Sequence, residues 1–142
     1  MQLVVIDANV FVSAIMATAG APHHVLRLAL SGEIAPIFGN ALLCEQEGVL
    51  ARDALWKGCP LERGEREALL HALMSVSLWI PVHFLWRPNL ADEGDNHVLE
   101  LAVAGGAESI VTANKRDFRR NSLHSPSIRI ESAGEFLERR RP

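Results

Sequence analysis

Asp7 stands where a carboxylate could do chemistry, at the end of a buried strand. It closes the apolar run LVVI at 3–6, and Ala8 and Asn9 follow it. Asp7 or Asn9 could instead only cap the next helix, because Asp and Asn accept hydrogen bonds from the free N–H groups of a first helical turn. Other acids fall where a parallel fold would bring them to the same place, and they favour a shared acidic site.

Residues after the predicted strand 109–112 would reach the same edge of the sheet as Asp7. In open parallel sheets, ligands bind beyond the carboxyl ends of the strands. Thr112, Asn114 and Asp117 follow that strand. Asp117 also has basic neighbours, so an ion pair with the nearby arginines is its alternative role.

Asp95 lies near the start of the predicted helix 92–104. Val98, Leu99 and Ala102 follow it at three, four and seven positions, which places Asp95 on the inward helix face. A buried carboxylate is costly unless it is paired, neutralised or bound to metal, and that face offers no equally well-placed Lys or Arg. The alternative is that Asp95 only caps the helix.

The helix predicted at 40–50 carries two further acids. Glu45 flanks its apolar stripe on one side and Glu47 flanks it on the other. Periodicity does not choose between them, and a surface position is the ordinary outcome for either residue.

Carboxylates from separate elements suit Mg²⁺ or Mn²⁺, which are hard ions that prefer oxygen ligands. Two such metals about 3.5–4 Å apart could lower the pKa of an attacking water and stabilise a leaving oxygen. The six histidines make no metal-ligand pattern with the acids and are expected to be surface or packing residues. Cys44 and Cys59 lack CxxC spacing and are interpreted as structural thiols.

Apolar strand-like runs alternate with helical patterns along the chain, which predicts an α/β fold with a parallel sheet. The predicted strands cover 3–6, 34–38, 78–82, 109–112 and 127–130; the predicted helices cover 22–30, 40–50 with Asn40 as cap, 62–76, 92–104 and 132–140. The predicted loops are 56–60 and 86–90.

Composition indicates one globular domain spanning residues 1–142, with 49% hydrophobic residues and a net charge of −3. No apolar run approaches the roughly 18 residues that cross a bilayer, and no signal-peptide pattern is present, so we expect a cytoplasmic protein without membrane contact. Two groups of basic residues stand out. The first could hold phosphates and comprises Lys115, Arg116, Arg119 and Arg120; the second, at 139–141, is expected to complement a helix dipole.

The chain resembles the PIN-domain nucleases, in particular the small prokaryotic VapC-like toxins. The matching stretches are VIDANV at 5–10, LLCEQEGVL at 42–50, DEGDNHVLELA at 92–102, GAESIVT at 106–112 and TANKRDF at 112–118. The resemblance implies a PIN-like three-layer sandwich with a central parallel sheet, an acidic pocket for Mg²⁺ or Mn²⁺, and cleavage of RNA. It also favours Glu45 over Glu47.

The resemblance implies a role for each site residue. Asp7 and Asp95 would be the main metal ligands, and Glu45 and Asp117 would hold a second metal directly or through water. Many similar proteins carry Asp where Asn114 stands, whereas others share the Thr-x-Asn-x-x-Asp-Phe pattern of this chain. Asp117 would then replace the fourth acid, with Asn9, Thr112 and Asn114 in supporting roles.

The resemblance further implies a homodimer and a cognate antitoxin that covers the acidic groove. Trp56, Leu85 and Trp86 are candidates for such contacts or for the core. One alternative is a non-catalytic PIN-like module that binds RNA or a partner, made plausible by Asn114. A haloacid-dehalogenase-type phosphatase fits poorly, because it needs a second acid where Asn9 stands.

Overall fold

The computed structural model describes residues 2–82, 96–115 and 127–140. Its strands are β1 (Leu3–Ile6), β2 (Ala35–Phe38), β3 (Leu78–Trp79), β4 (Ser109–Val111) and β5 (Arg129–Glu131). Its helices are α1 (Ala8–Met16), α2 (Ala21–Leu30), α3 (Asn40–Leu50), α4 (Arg63–Ser75), α5 (Asn96–Gly105) and α6 (Ala133–Arg140), with a 3₁₀ turn at Asp53–Trp56. Within these ranges, no helix is both long and apolar enough to cross a membrane.

The five strands form one parallel sheet in the order β3-β2-β1-β4-β5. β1 lies at the centre, and Val4, Val5 and Ile6 are all buried. A strand covered on both faces is apolar at successive positions, which explains the unbroken LVVI run. Helix α5 packs on β1, β2 and β4, while α1 and α2 pack against each other. The predicted parallel sheet flanked by helices is therefore confirmed.

Proline and close packing shift two predicted boundaries. The predicted strand 78–82 is only Leu78–Trp79, because Pro81 has no N–H to donate to a neighbouring strand. Asn40 is not the cap of α3: Gly39 takes that position and Asn40 is the first helical residue. A Cβ at Gly39 would lie 3.1 Å from Leu101 Cδ1. The chain thus uses glycine where β2 leads into α3 because α5 approaches closely there.

The other predicted boundaries that fall within the described residues agree with the sequence to within one or two residues, while the predicted start of the helix 92–104 lies outside them. Glu62 caps α4, and its N–H donates a hydrogen bond of 2.9 Å to Glu65 Oε1. Gly106 has φ +66, a left-handed conformation that ends α5 at low cost for glycine. The last strand lies at Arg129–Glu131 rather than 127–130.

Trp56 is a core residue and not a surface contact. Its ring is buried, its Nε1 donates a hydrogen bond of 3.1 Å to the Val49 carbonyl, and the Arg66 guanidinium lies 4.9 Å from the ring centroid. The 3₁₀ turn folds the indole back onto α3 and α4, which removes Trp56 from the candidate partner surface. Leu85 and Trp86 lie outside the described residues.

The C-terminal arginines attach α6 to the sheet. Arg139 forms an ion pair with the buried Glu131 carboxylate, with Nη2 3.2 Å from Oε2, and the same Nη2 donates to Ser109 Oγ at 3.1 Å. Arg140 Nη1 donates to Gln2 Oε1 at 2.9 Å. These two arginines therefore have specific structural contacts beyond a favourable interaction with the helix dipole.

We predict that Arg139→Gln lowers the free energy of unfolding by about 2 kcal/mol, because it leaves the Glu131 carboxylate buried without its charged partner. Urea unfolding measures the change. Arg129→Gln, an exposed site in β5, is the matched control and should be nearly neutral. Adding Glu131→Gln to Arg139→Gln should recover part of the loss. If Arg139→Gln is as stable as the wild type, the pair does not hold α6.

Candidate metal centre at the carboxyl edge of the sheet

Asp7 lies at the point where β1 ends and α1 begins. Its side chain is only 4% exposed. One oxygen, Oδ1, accepts a hydrogen bond of 2.8 Å from the Ala8 N–H, and the other, Oδ2, accepts one of 2.8 Å from the Thr112 hydroxyl. Asp7 is therefore the N-cap of α1, as one sequence interpretation expected, and its second oxygen is oriented by Thr112, the residue after β4.

The residues after β4 form a hydrogen-bonded network around this carboxylate. Asn9 Oδ1 accepts from the Ala113 N–H at 3.1 Å, and Asn9 Nδ2 lies 3.4 Å from Thr112 Oγ1. The Asn114 N–H donates to Thr112 Oγ1 at 3.0 Å. The structure thus brings Asn9, Thr112 and Asn114 together beside Asp7, and Asn9 joins the first turn of α1 to the loop after β4 rather than capping α1.

Glu45 faces the Asp7 side of α3, whereas Glu47 does not. Glu45 and Asp7 line one open groove of about 470 Å³. Glu47 is exposed and lines a different depression beside α4. Leu42, Gln46 and Leu50 form the buried face of α3, so Glu45 projects from its flank. The geometry therefore separates the two acids that periodicity left equivalent.

His97 was missed by the sequence interpretation. Its Nε2 lies 3.2 Å from Glu45 Oε2, and the ring is half-buried at the start of α5. A lone histidine in an apolar helix usually packs in the core, so its type gave no signal. Its position two residues after Asp95 was the available clue.

Arg52 is the second residue that sequence reasoning overlooked. It is exposed and lines the groove that contains Asp7 and Glu45. Its position two residues after the end of α3 places a positive charge at the rim of an acidic groove. Sequence spacing gave no indication of this, because Arg52 belongs to neither basic group.

Burial raises the pKa of the Asp7 carboxyl above its ordinary value of 3.8, and the nearby Glu45 carboxylate raises it further. The hydrogen bonds from Thr112 and Ala8 and the charge of His97 act in the opposite direction. Asp7 is therefore a carboxylate whose negative charge is poorly compensated by its described neighbours.

Several predicted site residues lie outside the described ranges: Asp95, Asp117, Arg116, Arg119 and Arg120. Across the described ranges alone, no three His, Cys, Asp or Glu side chains gather as a metal site. Lys115 is described, and its Nζ lies 2.8 Å from Glu135 Oε1. Val98, Leu99 and Ala102 are buried, as the helical wheel that begins at Asp95 predicted.

The family model described as "PIN domain" matches residues 3–116. The chain belongs to the PIN domain family. No curated protein matches this PIN domain significantly. Among solved structures it is similar to a chain of VapBC2 from Rickettsia felis bound to a DNA fragment from their promoter. That likeness has a TM-score of 0.60 and 16% identity, and covers 92% of this chain and 98% of that one.

Family and fold agree with the sequence interpretation. The family match and the structural similarity confirm the predicted PIN-like sandwich. At 16% identity, the structural similarity to VapBC2 supports the fold of this PIN domain and nothing further.

We predict that Asp7→Asn raises the melting temperature of the metal-free PIN domain near neutral pH by a few degrees. A gain of 1 kcal/mol in the free energy of unfolding raises the melting temperature by about 3 °C in a domain of this size. Asn caps a helix about as well as Asp, and its side-chain oxygen can keep the hydrogen bond from the Ala8 N–H. A raised folded pKa means that wild-type stability falls as pH rises from the unfolded value through the folded value. The penalty is therefore full above the folded pKa and disappears in acid.

Thermal melts in EDTA at a series of pH values test this sign. The advantage of Asp7→Asn over the wild type should shrink as pH falls toward the ordinary pKa of 3.8. Asp53→Asn removes an exposed carboxylate and should give a small, pH-insensitive change. If the advantage of Asp7→Asn is absent near neutral pH, burial does not penalise the Asp7 charge.

Proposed function

We propose that this PIN domain is a metal-dependent endoribonuclease and the toxin component of a toxin-antitoxin pair. The observation that carries the proposal is the Asp7 carboxylate, buried at the carboxyl edge of the sheet and sharing a groove with Glu45. A carboxylate in that position, with a raised pKa, needs positive charge to offset its burial.

The donor set fits a hard divalent ion. Asp7 and Glu45 supply carboxylate oxygens, and Thr112 and Asn9 lie beside them with neutral oxygens. We assign Asp7 and Asp95 as the main ligands, with Glu45 and Asp117 completing the set. When bound there, Mg²⁺ or Mn²⁺ would lower the pKa of a water and stabilise the leaving oxygen of an in-line displacement.

The protein's own groups would fix the geometry of this centre. The Ala8 N–H and the Thr112 hydroxyl each hold one oxygen of Asp7, so the carboxylate cannot rotate freely. His97 meets Glu45 from α5 and restrains the second acid in the same way. Partners of this kind orient metal ligands, and their loss typically costs about 10–100-fold in metal affinity or activity.

Positive side chains would contact the RNA phosphates. We assign this role to the basic group that follows β4 in the sequence, Lys115, Arg116, Arg119 and Arg120. Lys115 forms an ion pair with Glu135, so it would exchange that partner for phosphate. Arg52 adds a further positive charge directly at the groove that holds Asp7.

The proposed partners follow from the family and from the structural neighbour. The similar structure is a VapBC2 complex, and we propose that this chain likewise has a cognate antitoxin that covers the acidic groove. We also propose that the protein forms a homodimer, that it is cytoplasmic and that it acts as one nuclease domain. A non-catalytic PIN-like module that binds RNA or a partner is the alternative that the following experiment separates.

We predict that the purified protein cleaves single-stranded or looped RNA with Mg²⁺ or Mn²⁺ and not in excess EDTA. Asp7→Asn, Glu45→Gln and Asp95→Asn should each lower the rate by at least about 100-fold, because each removes a proposed ligand charge. Cleavage of a labelled RNA measures the rates.

Glu47→Gln is the matched control for Glu45→Gln, since it makes the same change on the same helix but at an exposed position outside the groove that contains Asp7. It should cleave at the wild-type rate. Full activity in EDTA would rule out a metal-dependent mechanism. RNA binding without cleavage under any metal condition would favour the non-catalytic module.

We predict that changing Arg116, Arg119 and Arg120 together to Gln weakens RNA binding and flattens its salt dependence. For single-stranded RNA, the slope of log affinity against log salt should become shallower by about 0.7 for each phosphate that an arginine no longer neutralises. Anisotropy titrations of labelled RNA in EDTA over a range of salt measure it. The triple change Arg27, Arg63 and Arg129 to Gln is the control, and an equal effect there would mean that only net charge matters.

A further inference from the structure

A second groove of about 530 Å³ lies beside the acidic groove, beyond the ends of β2 and β3. Its wall includes Leu42, Pro81, Val82 and Leu101, so it is mainly apolar. His97 also lines it, and the same ring contacts Glu45. One side chain therefore connects this second groove to the proposed metal centre. A concavity of this size is within the range that holds small ligands, about 300–1,000 Å³.

Glu100 is the unusual residue of this groove. It lines the groove and is only 5% exposed, yet its Oε1 is enclosed and makes no hydrogen bond with the described residues. No Lys or Arg stands among the described residues of the groove wall. A buried acceptor without a donor is costly, so an occupant that supplies N–H groups would be favoured there.

Trp79 gives the same groove an aromatic surface. It lies in the edge strand β3 and is 49% exposed, although it is among the largest apolar side chains of the protein. Nucleic-acid bases stack on exposed aromatic rings, and such stacking is worth about 1–3 kcal/mol per base. A planar occupant with hydrogen-bond donors along one edge would satisfy both Trp79 and Glu100.

We propose that this groove is a guanine-binding subsite for the RNA substrate, an inference that rests on the proposed nuclease function. An ionised carboxyl group offers two acceptor oxygens. Guanine alone among the four bases presents two adjacent donors, N1–H and N2–H, on its Watson–Crick edge. Adenine and cytosine present a donor beside an acceptor, and uracil presents one donor between two acceptors. Glu100 is therefore complementary to guanine, with Trp79 as the stacking surface.

The position of the subsite gives it a role in cleavage specificity. His97 contacts Glu45 on one side and lines the guanine subsite on the other. A guanine held between Trp79 and Glu100 would bring its own backbone toward the acidic groove. The protein would then prefer RNA with a guanine close to the cleaved bond.

Binding of short RNAs in EDTA tests the subsite without cleavage. The probes are labelled five-nucleotide oligouridines whose central base is G, A, C or U, and fluorescence anisotropy with the full chain gives their affinities. We expect the guanine probe to bind about tenfold more tightly than the others, as for a bidentate contact to a base edge. Equal affinity for all four probes would overturn the proposal.

Glu100→Gln tests recognition of the base edge. Gln offers one acceptor and one donor, so the preference for guanine should be lost and the adenine or cytosine probe should gain. Glu47→Gln makes the same change outside the groove and should leave the order of affinities unchanged. If Glu100→Gln keeps the wild-type guanine preference, Glu100 does not read the base.

Trp79→Ala tests stacking at an exposed position where the fold should tolerate the change. It should weaken all four probes by about tenfold without changing their order. Circular dichroism melts of each variant check folding. If RNA binding is unaffected by Trp79→Ala, the groove serves another occupant, such as a peptide segment or a second copy of the chain, and the proposal fails.

The outcomes separate this proposal from the nuclease proposal. Guanine preference in EDTA together with no cleavage in Mg²⁺ or Mn²⁺ would retain the subsite and reject the nuclease. Cleavage without any base preference would retain the nuclease and reject the subsite.

Discussion

The candidate site depends on one constraint, which is that a carboxylate is buried at the end of the central strand. Asp7 can be there because the Ala8 N–H and the Thr112 hydroxyl each donate to it. The first bond starts α1, and the second ties β1 to the loop after β4. The same two hydrogen bonds therefore begin a helix, position a neighbouring loop and orient Asp7, the proposed metal ligand.

The position of the second acid, Glu45, depends on how closely α5 approaches α3. Gly39 leaves room for Leu101 where β2 enters α3, and the resulting contact places the start of α3 beside α5. Leu42, Gln46 and Leu50 then point inward, so Glu45 emerges on the flank that His97 reaches. The buried face of α3 thus leaves Glu45, and not Glu47, on the side of the groove that contains Asp7.

The sequence could predict features that depend on local pattern. The unbroken apolar run at 3–6 identified the central strand, and Thr112 followed the next strand at the same edge because parallel strands share their polarity. The choice between Glu45 and Glu47 required the resemblance, since both flank one stripe and only tertiary contact with α5 separates them. His97 and Arg52 were not predicted, because their relevance comes from contacts between elements far apart in sequence, and the position of His97 near Asp95 was the one available clue. Trp56 was ambiguous because burial of a single indole depends on how a 3₁₀ turn folds back.

The distribution of charged residues explains how an acidic groove could accept a polyanionic substrate in the proposed function. The chain carries a net charge of −3, and several of its cations are already engaged, with Arg139 on Glu131 and Lys115 on Glu135. Arg52 lines the Asp7 groove but makes no ion pair with the described residues. Adding two positive charges beside Asp7 would offset both the burial of that carboxylate and the repulsion between the groove and a phosphate. The raised pKa of Asp7 reflects a shortage of positive charge in this groove. The proposed binding of RNA would meet the same shortage, which a divalent ion could relieve.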